Sequence, residues 1–553
     1  MTAKRIWGTL DPFVEGGAYM GRKVANAGFL QTLIGSGTFD EYHFFLADGA
    51  TISNTKKNFQ QMALPSRAVI RFLGRRQLPG QLATTPYHCF HLSDCINWPA
   101  SLAALRNRYA RQLFPITSLT HSLSPTRYVR EMLPQIWQGT TSRDCIVSSS
   151  TAGRRVVENI FAQARAYLGR SWEDAQEPVC RVIPLGIDLD GFSPPTPEER
   201  MLARQERAVG DKEVVLLVFG RISPHSKMDL LPLLRALQRL FWRGISRPSL
   251  CLWVAGWVDA GDEFPATLKT LARNMGLRME LIPSPDERVK RRLFAGADIF
   301  VSLADNPQET FGLSLLEAGG MGLPVVASDF DGYRDIVVHG QTGFLVPTMG
   351  NPQTSMIDEM APLVSDYHYH LWLSQGTVVA VPPLADRLYQ LIQDVTLRQR
   401  MGLAGHERVA ARFSWERVVA QYVELWNDLW SVPVDPPRPL QTHPLNMAYG
   451  KVFERYCSTT LSPSTRLVWT RCGQATYRQQ DFLLIYAGLE DWITPELVRQ
   501  LLFFCRKPIT AERLIKKMQE WFPGMGEDRL YLVVLWACKQ DLITMVDAWE
   551  QND

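Results

Sequence analysis

Short apolar runs alternate with helix-length stretches along most of this chain, and this alternation constrains its fold more than any other feature. Between residues 212 and 329 the apolar or β-rich runs are KEVVLLVFGRIS, PSLCLWVAGWV, MELIPSP, ADIFVSLA and LPVVASD. Helix-length stretches such as MDLLPLLRALQRLF and ERVKRRLFAGA separate them. Strands that alternate with helices in this way predict a parallel sheet with helices packed on its faces.

An earlier series of the same kind fills the first part of the chain. Its short apolar runs include HFFLADG, AVIRFLG and YHCFHLS. DCIVSSSTAGRRVVENIFAQA predicts a strand that leads into a helix capped by Ser150 or Thr151. VIPLGIDLDGFSP predicts a strand that leads into a proline-marked linker. We therefore predict the α/β class, with two doubly wound, Rossmann-like domains facing a cleft over residues 1–190 and 191–410.

The chain after residue 432 has a different pattern. Residues 433–444, PVDPPRPLQTHP, hold five prolines and no apolar periodicity, which predicts a stiff linker. Residues 445–553 are predicted to be mainly helical, because the sequence from Thr494 to Glu496 has the pattern of a helix start and two further helical stretches follow. DLITMVDAW is predicted as a short hairpin after them. Helices followed by such a wing resemble a winged helix.

Winged helices occur in DNA-binding modules, but the charge of this domain points elsewhere. Acidic residues within 489–496 and 546–553 would repel phosphates, and the predicted third helix, EDRLYLVVLWACKQ, is apolar. We therefore expect a protein partner for residues 445–553 and do not expect nucleic acid.

The cysteine content and the lack of long apolar segments indicate a cytoplasmic protein. The nine cysteines include no C-x-x-C pair, which favours reduced thiols over a disulfide framework. The first residues, MTAKRIWGTLDPF, lack the apolar core of a signal peptide, and no stretch approaches the roughly 18 apolar residues of a membrane span. We expect a protein that is soluble or peripheral to a membrane.

The formal net charge of +3 conceals an uneven distribution. Residues 51–170 carry 16 Lys and Arg against 4 Asp and Glu, a local net charge of +12. Two interpretations stay open at this point. This basic N-terminal region binds an anionic partner, such as a membrane surface or an acidic acceptor, or it is a solvated face without a partner.

The segment 305–348 carries the most specific functional signal. Glu309 and Glu317 stand on either side of a turn at Phe311-Gly312, where a polar loop gives way to the apolar helix LSLLEAGG. Gly312 permits close backbone approach, and the first residues of that helix, Leu313 and Ser314, present free backbone N–H groups to an anion. The two carboxylates are at most roughly 12 Å apart if all helical, so they can flank a diphosphate and bind hydroxyl groups on its two sides.

This pattern predicts a nucleotide-sugar site in which one glutamate holds the sugar and the other holds the ribose. The structural alternative is that Glu317 is one solvated charge on a helix that follows a strand.

The same block, with GLPVVAS and GQTGFLVP after it, resembles the retaining glycosyltransferases of family 4. The resemblance implies the GT-B architecture, an acceptor-side domain at 1–190, a nucleotide-sugar domain at 191–410, and a helix at 411–432 that returns to the first domain. It implies transfer of a sugar from a nucleoside diphosphate with retention of anomeric configuration, and it implies neither a cofactor nor a metal. It does not cover residues 445–553.

The resemblance also assigns residues outside this block. Arg221 and Lys227 follow the strand VVLLVF and match the family's cations beside the diphosphate, although one more residue separates them than in the commonest form. Gly17, in EGGAY after the first strand, matches the glycine-rich loop that approaches the phosphates. His121, in a T-H-S context after a predicted strand, matches the histidine that faces the donor sugar.

Other chemistry-bearing residues are given lesser roles. His91 resembles His121 in position but has a weaker claim, and we interpret His368 and His370 as surface residues. The Asp-x-Asp patterns at 188–190 and 329–331 suggest a metal, but both lie in turns that the family shares, and a metal is not expected.

We therefore predict a cytoplasmic glycosyltransferase that moves a hexose-type sugar to an acceptor held by the basic N-terminal domain. The acceptor class stays open between a lipid-linked molecule, a glycan and a protein. The alternative is a non-catalytic scaffold or regulatory protein that keeps the fold and acts through its C-terminal interaction domain. The base of the nucleotide is expected near residues 282–285.

Overall fold

A computed structural model describes the chain over residues 4–15, 21–62, 64–65, 68–168, 175–259, 261–434, 447–453 and 455–546. It divides into two compact units, residues 1–445 and 446–553. Gly17 lies outside the described residues, as does most of the proline-rich stretch 433–444. No helix in these ranges is long and apolar enough to span a membrane.

The first sheet, as far as the described residues show it, has seven parallel strands in the order β3-β2-β1-β4-β5-β6-β7. The strands are β1 Ile6–Thr9, β2 Glu41–Leu46, β3 Val69–Gly74, β4 Tyr87–Leu92, β5 Ile116–Leu119, β6 Asp144–Ser148 and β7 Val179–Val182. The helices between them are α1 Gly21–Ser36, α2 Gly49–Gln60, α3 Leu78–Thr84, α4 Pro99–Tyr109, α5 Arg127–Met132 and α6 Thr151–Leu168.

The second sheet is also parallel, and its described strands follow the order β10-β9-β8-β11-β12-β13. The strands are β8 Val214–Phe219, β9 Leu250–Gly256, β10 Arg278–Pro283, β11 Ile299–Ser302, β12 Val325–Ser328 and β13 Gly343–Val346. Its helices are α7 Pro197–Gln205, α8 Leu231–Trp242, α9 Phe264–Asn274, α10 Glu287–Gly296, α11 Leu313–Gly320 and α12 Tyr333–Ile336.

The rest of the first unit is mainly helical. It comprises α13 Ser355–Met360, α14 Asp366–Gln375, α15 Val381–Gln393, α16 Val395–Arg412, α17 Trp415–Ser431 and the antiparallel pair β14 Thr348–Met349 with β15 Val378–Val379.

The predicted fold class is confirmed, since two Rossmann-like parallel sheets carry helices on their faces. Strands such as β8 and β9 are buried along their whole length, which explains why they read as continuous apolar runs. The order of each sheet reverses direction beside β1 or β8, which puts a ligand-binding crevice at the carboxyl ends of these strands. The predicted cap of α6 is Ser150, whose Oγ accepts a hydrogen bond from Gly153 N at 3.0 Å.

Helix α17 ties the end of this unit to the first sheet. Tyr422 packs edge-on against Phe29 of α1 with ring centroids 4.9 Å apart, and Trp426 Nε1 donates to Thr117 Oγ1 at 2.9 Å. At the start of α17, the Trp415 ring lies so close to Gly28 and Gly186 that a Cβ on either glycine would approach ring atoms within 2.4 Å. The two glycines are therefore packing requirements of the indole.

The second unit combines helices with a small antiparallel sheet in the order β17-β16-β18. Its elements are α18 Tyr449–Val452, β16 Arg466–Trp469, α19 Arg471–Tyr477, α20 Pro495–Phe504, β17 Ile509–Thr510, α21 Ala511–Trp521, α22 Glu527–Lys539 and β18 Ile543–Met545. The predicted helix start is present, with Thr494 capping α20 through Leu497 N. The predicted hairpin, residues 541–549, extends beyond the described residues, within which β18 pairs with β16, a strand that precedes the helices.

Gly28→Ala should destabilise the first unit, whereas Gly35→Ala on the same helix should not. A Cβ at residue 28 would lie 2.4 Å from Trp415 Nε1, and overpacking of this kind costs about 1–3 kcal/mol. At residue 35 no described atom lies within 4 Å of a Cβ, and replacing glycine inside a helix stabilises by about 0.5–1 kcal/mol. Urea unfolding followed by tryptophan fluorescence compares the variants, and equal midpoints would contradict the packing argument.

Candidate active site

The turn before α11 has the geometry that the sequence predicts. Gly312 adopts φ +111°, in the left-handed region, and a Cβ there would lie 2.5 Å from the Tyr333 ring. Helix α11 then begins at Leu313. The N–H groups of Leu313 and Ser314 are in its first turn and so have no acceptor within the helix. Phe311 is buried and anchors the turn. This end of α11 can therefore accept an anion.

Glu309 lies at the centre of a buried polar cluster beside this turn. Its Oε2 accepts hydrogen bonds from Lys227 Nζ and, at 3.2 Å, from Tyr333 Oη. Its Oε1 accepts from the backbone N–H groups of Thr310 and Phe311 at 3.2 and 3.3 Å. The Tyr333 hydroxyl has one proton, so when it donates to Glu309 it accepts from Ser302 Oγ, 2.7 Å away.

The electrostatics of this cluster keep both charges in place. Burial raises the pKa of Glu309, but Lys227 and the two backbone N–H groups outweigh it and hold the pKa below its ordinary value. Burial lowers the pKa of Lys227, but Glu309 outweighs it and leaves that pKa well above its ordinary value. The predicted sugar-binding carboxylate and the predicted phosphate-binding cation are thus one ion pair, joined across 82 residues of sequence.

Glu317 forms a second buried ion pair that sequence reasoning missed. Its Oε1 accepts from Lys290 Nζ at 2.6 Å, and both side chains are less than a tenth exposed. The alternative that Glu317 is a solvated helix charge is therefore wrong. Lys290 has a detectable signal in the sequence, because it lies one turn before Leu293 and Phe294 on the apolar stripe of α10.

Burial raises the pKa of Glu317 above its ordinary value even though Lys290 opposes the shift. The two glutamates of the segment 305–348 therefore lie in different environments. Glu309 is held charged by several donors, whereas burial dominates at Glu317.

Arg221 follows the carboxyl end of β8 in a tightly packed turn. A Cβ on Gly256 would lie 1.6 Å from the Gly220 carbonyl oxygen, so glycine is required where these two loops approach each other. The Arg221 side chain is exposed and forms no hydrogen bond or ion pair with any residue that the structure describes. It is therefore available to a ligand, unlike Lys227.

The first domain meets this region through the start of α1 and through His121. A Cβ on Gly21 would lie 3.6 Å from Leu313 Cδ1, so the two helix starts lie close together. His121 Nε2 is 2.8 Å from the Ser93 carbonyl oxygen, which can only accept, so Nε2 carries the proton. Burial, together with the positive charge of Arg22, lowers the pKa of His121 to about 4, and its Nδ1 is an acceptor at neutral pH.

Asp331, the second acid of the Asp-x-Asp pattern at 329–331, has a buried carboxylate oxygen beside the Glu309 cluster. It adopts φ +50°, its Oδ2 has no hydrogen-bond partner in the described part of the chain, and burial with the charge of Glu309 raises its pKa to about 8. A Cβ on its neighbour Gly332 would lie 2.5 Å from the Thr310 carbonyl oxygen. The turn around Asp331 therefore lies directly against the turn that carries Glu309.

His370 and His91 lie in environments that differ from the roles considered for them in the sequence analysis. His370 is buried on α14, and its Nδ1 is 2.7 Å from Gln308 Nε2, so the surface interpretation is wrong for His370 but holds for the exposed His368. His91 is enclosed by aromatic rings, with centroids of Phe29 and Tyr422 5.0 Å away. Burial lowers the pKa of His91 to about 3, as expected for a core residue.

Comparison with known proteins shows which proteins this chain resembles. The family profile described as glycosyl transferases group 1 matches residues 199–370. The D-inositol 3-phosphate glycosyltransferase of Geodermatophilus obscurus is 31% identical over 272 residues, 49% of this chain and 51% of that protein. The enzyme of the same name from Corynebacterium urealyticum is 27% identical over 361 residues, 64% of this chain and 70% of that protein.

Among solved structures, a glycosyltransferase from Rickettsia africae superposes with a TM-score of 0.52 at 15% identity, covering 78% of this chain and 100% of that one. Anabaena Alr3699/HepE in complex with UDP gives a TM-score of 0.51 at 20% identity, with 77% and 100% covered. The chain resembles the group 1 glycosyltransferases, and its fold is GT-B. The GT-B region of this chain is followed by residues 445–553, which these matches do not cover.

Lys227→Met should destabilise the GT-B unit by about 3–5 kcal/mol near pH 7, because it leaves Glu309 buried and unpaired. Adding Glu309→Gln should recover most of this loss. Without Lys227, burial raises the pKa of Glu309, so the penalty of the single variant should shrink as pH falls from about 8 to about 5 and the carboxylate takes up a proton. Urea unfolding of both single variants and the double variant measures the coupling. If the changes in unfolding free energy of the two single variants add up to that of the double variant, the two residues do not form a coupled ion pair.

Proposed function

We propose that this chain is a retaining glycosyltransferase that transfers a hexose-type sugar from a nucleoside diphosphate to an anionic acceptor. The observation that carries the proposal is the Lys227–Glu309 ion pair at the start of α11, where a carboxylate for the sugar and a cation for the phosphate occupy one buried cluster. The family profile covers both residues.

The donor diphosphate would lie across the N–H groups of Leu313 and Ser314, with Arg221 as a fork and Lys227 as a point charge beside it. In the absence of donor, Lys227 donates to Glu309. A phosphate oxygen that accepts from Lys227 would free Glu309 Oε2 to accept from a sugar hydroxyl. Glu317 would bind the ribose, and Gly17 would let the backbone approach the phosphates.

Sugar transfer needs stabilisation of the charge that develops on the departing diphosphate. The bond from the anomeric carbon to the phosphate oxygen breaks, and a bond to the acceptor oxygen forms on the same face. The acceptor proton moves to the departing phosphate oxygen. His121 is neutral, so its Nδ1 would accept a hydrogen bond from a sugar hydroxyl without adding charge. Arg221, Lys227 and the start of α11 supply the positive field, so the proposal includes neither a metal nor another cofactor.

The acceptor is proposed to carry phosphate or another acidic group. Relatives are named for D-inositol 3-phosphate and for a monoacylated phosphatidylinositol monomannoside, and both molecules carry a phosphate. The excess of cations in residues 51–170 suits such a molecule, whether it is free or linked to a lipid at a membrane surface. A protein partner is proposed for residues 445–553.

Thermal-shift measurements with UDP, GDP, ADP and their sugars should identify the donor, because a ligand that binds only the folded protein raises its melting temperature. Arg221→Ala should weaken binding of the matching diphosphate by about tenfold or more and leave the free nucleoside unaffected. Arg239→Ala, an exposed change on α8, is the control. No shift with any nucleotide would favour the non-catalytic scaffold, and equal effects on diphosphate and nucleoside would remove Arg221 from the phosphate site.

Glu309→Gln should lower turnover by at least about a hundredfold while nucleoside diphosphate affinity changes little. The amide has one acceptor oxygen where the carboxylate has two, so it keeps either the contact to Lys227 or those to the backbone N–H groups, and its uncharged oxygen is a weaker acceptor for a sugar hydroxyl. The exposed Glu359→Gln on α13 is the matched control. Release of nucleoside diphosphate from the donor measures turnover. Near-wild-type turnover of Glu309→Gln would exclude Glu309 from the reaction.

A further inference from the structure

A cavity of about 650 Å³ lies where the two Rossmann-like halves of the first unit meet helices α16 and α17. The first half contributes Ser149 and Thr151 at the start of α6, and the second half contributes Arg334 and Asp335 of α12. The volume is within the usual range for small-molecule sites, about 300–1,000 Å³. Neither Arg221 nor Lys227 is among its wall residues, so it is separate from the donor site proposed above.

The charged side chains of this cavity are unbalanced. Four arginines line it, namely Arg334, Arg408, Arg412 and Arg417, whereas the acids among the described wall residues are Asp335 and Glu424.

Most of this positive charge is not neutralised by the wall. Arg408 donates to the backbone carbonyl oxygens of Asp335 and Ile336 at 2.7 and 2.8 Å, which orient the guanidinium without cancelling its charge. Arg412 and Arg417 are exposed, and their guanidinium groups make no hydrogen bond or ion pair with other residues in the described ranges. Among these four arginines, and within the described part of the chain, Arg334 is the one that forms an ion pair, to Asp329 at 2.6 Å.

Asp335 offsets only part of this charge, because it is a single carboxylate beside several arginines. Its Oδ2 accepts a hydrogen bond from Thr151 N at 2.6 Å and so caps α6. This contact also joins the two Rossmann-like halves at the cavity wall.

The cavity wall also contains an unsatisfied polar group. Ser149 is 1% exposed, and its Oγ has no hydrogen-bond partner among the residues described. Buried hydroxyls of this kind are almost always paired with protein or with a bound molecule. A ligand oxygen that reaches the wall would satisfy it.

We propose that this basic cavity binds a phosphate-bearing ligand through Arg408, Arg412 and Arg417, with Ser149 Oγ as a further partner. Guanidinium groups bind phosphate through paired N–H donors, which suits a cavity that presents several of them around one space. A free phosphorylated metabolite and a phospholipid headgroup share this chemistry. Because the wall comes from both halves, a bound ligand favours the arrangement in which both halves contact it.

Calorimetric titration of the full chain with inorganic tripolyphosphate tests the site. The experiment uses the Arg221→Ala background, so that the donor site contributes little. The double change Arg412→Gln and Arg417→Gln should weaken binding at least about tenfold, and Ser149→Ala should weaken it severalfold. Arg400→Gln, an exposed change on the same helix α16, should leave the affinity within about twofold. Circular dichroism confirms that each variant is folded.

Vesicles of phosphatidylcholine with and without phosphatidic acid form the second arm. The site is supported if the double variant loses binding to either probe. Loss of tripolyphosphate binding identifies a free phosphorylated ligand, and loss of binding to phosphatidic acid vesicles identifies a lipid headgroup. The proposal is overturned if the Arg221→Ala protein binds neither probe, if the double variant binds as well as its parent, or if Arg400→Gln loses as much affinity.

Discussion

The ion pair between Lys227 and Glu309 is the interaction on which the organisation of the candidate site depends. It connects the loop after β8 to the loop after β11, and Tyr333 links both to the start of α12. Burying two charges costs several kcal/mol per ion, and this cost is offset only when further hydrogen bonds complete the geometry. The backbone N–H groups of Thr310 and Phe311 donate these further hydrogen bonds to Glu309. The cluster is thus held in position before any ligand arrives.

The two glutamates of the segment differ because their donors differ. Glu309 accepts from a cation, a hydroxyl and two backbone N–H groups, and its pKa stays low. Glu317 accepts from Lys290, and burial together with the negative charge of Glu287 raises its pKa. A carboxylate with several fixed donors keeps its charge in a dry site, so Glu309 is the better acceptor for a hydroxyl group. This difference is not visible in the spacing of the two residues, because it arises from partners far away in sequence.

The sequence predicts local features of this protein well. The buried parallel strands can be recognised in the sequence as continuous apolar runs. Gly312, followed by an apolar stretch, correctly predicts the start of α11. Contacts between distant segments were not predictable in the same way. Tyr333 and Lys290 reach the two glutamates across 24 and 27 residues, and no local period indicates such contacts. His370 was wrongly assigned to the surface for the same reason, since its contact with Gln308 spans 62 residues. The roles of Arg221, Gly17 and His121 stay predictions.

Some of the excess cations in residues 51–170 form contacts within the fold. These side chains therefore differ in whether their charge can still attract an acceptor. Arg106 is fully buried and pairs with both oxygens of Asp144 at 2.6 and 3.0 Å, so its charge is cancelled. Arg75 and Arg143 instead donate to backbone carbonyl oxygens, including those of Leu10 and Trp430. Carbonyl oxygens fix such a side chain but leave its net charge intact. These two arginines therefore still contribute to the positive field of the first domain, although the N–H groups that contact these carbonyl oxygens are not available to an acceptor.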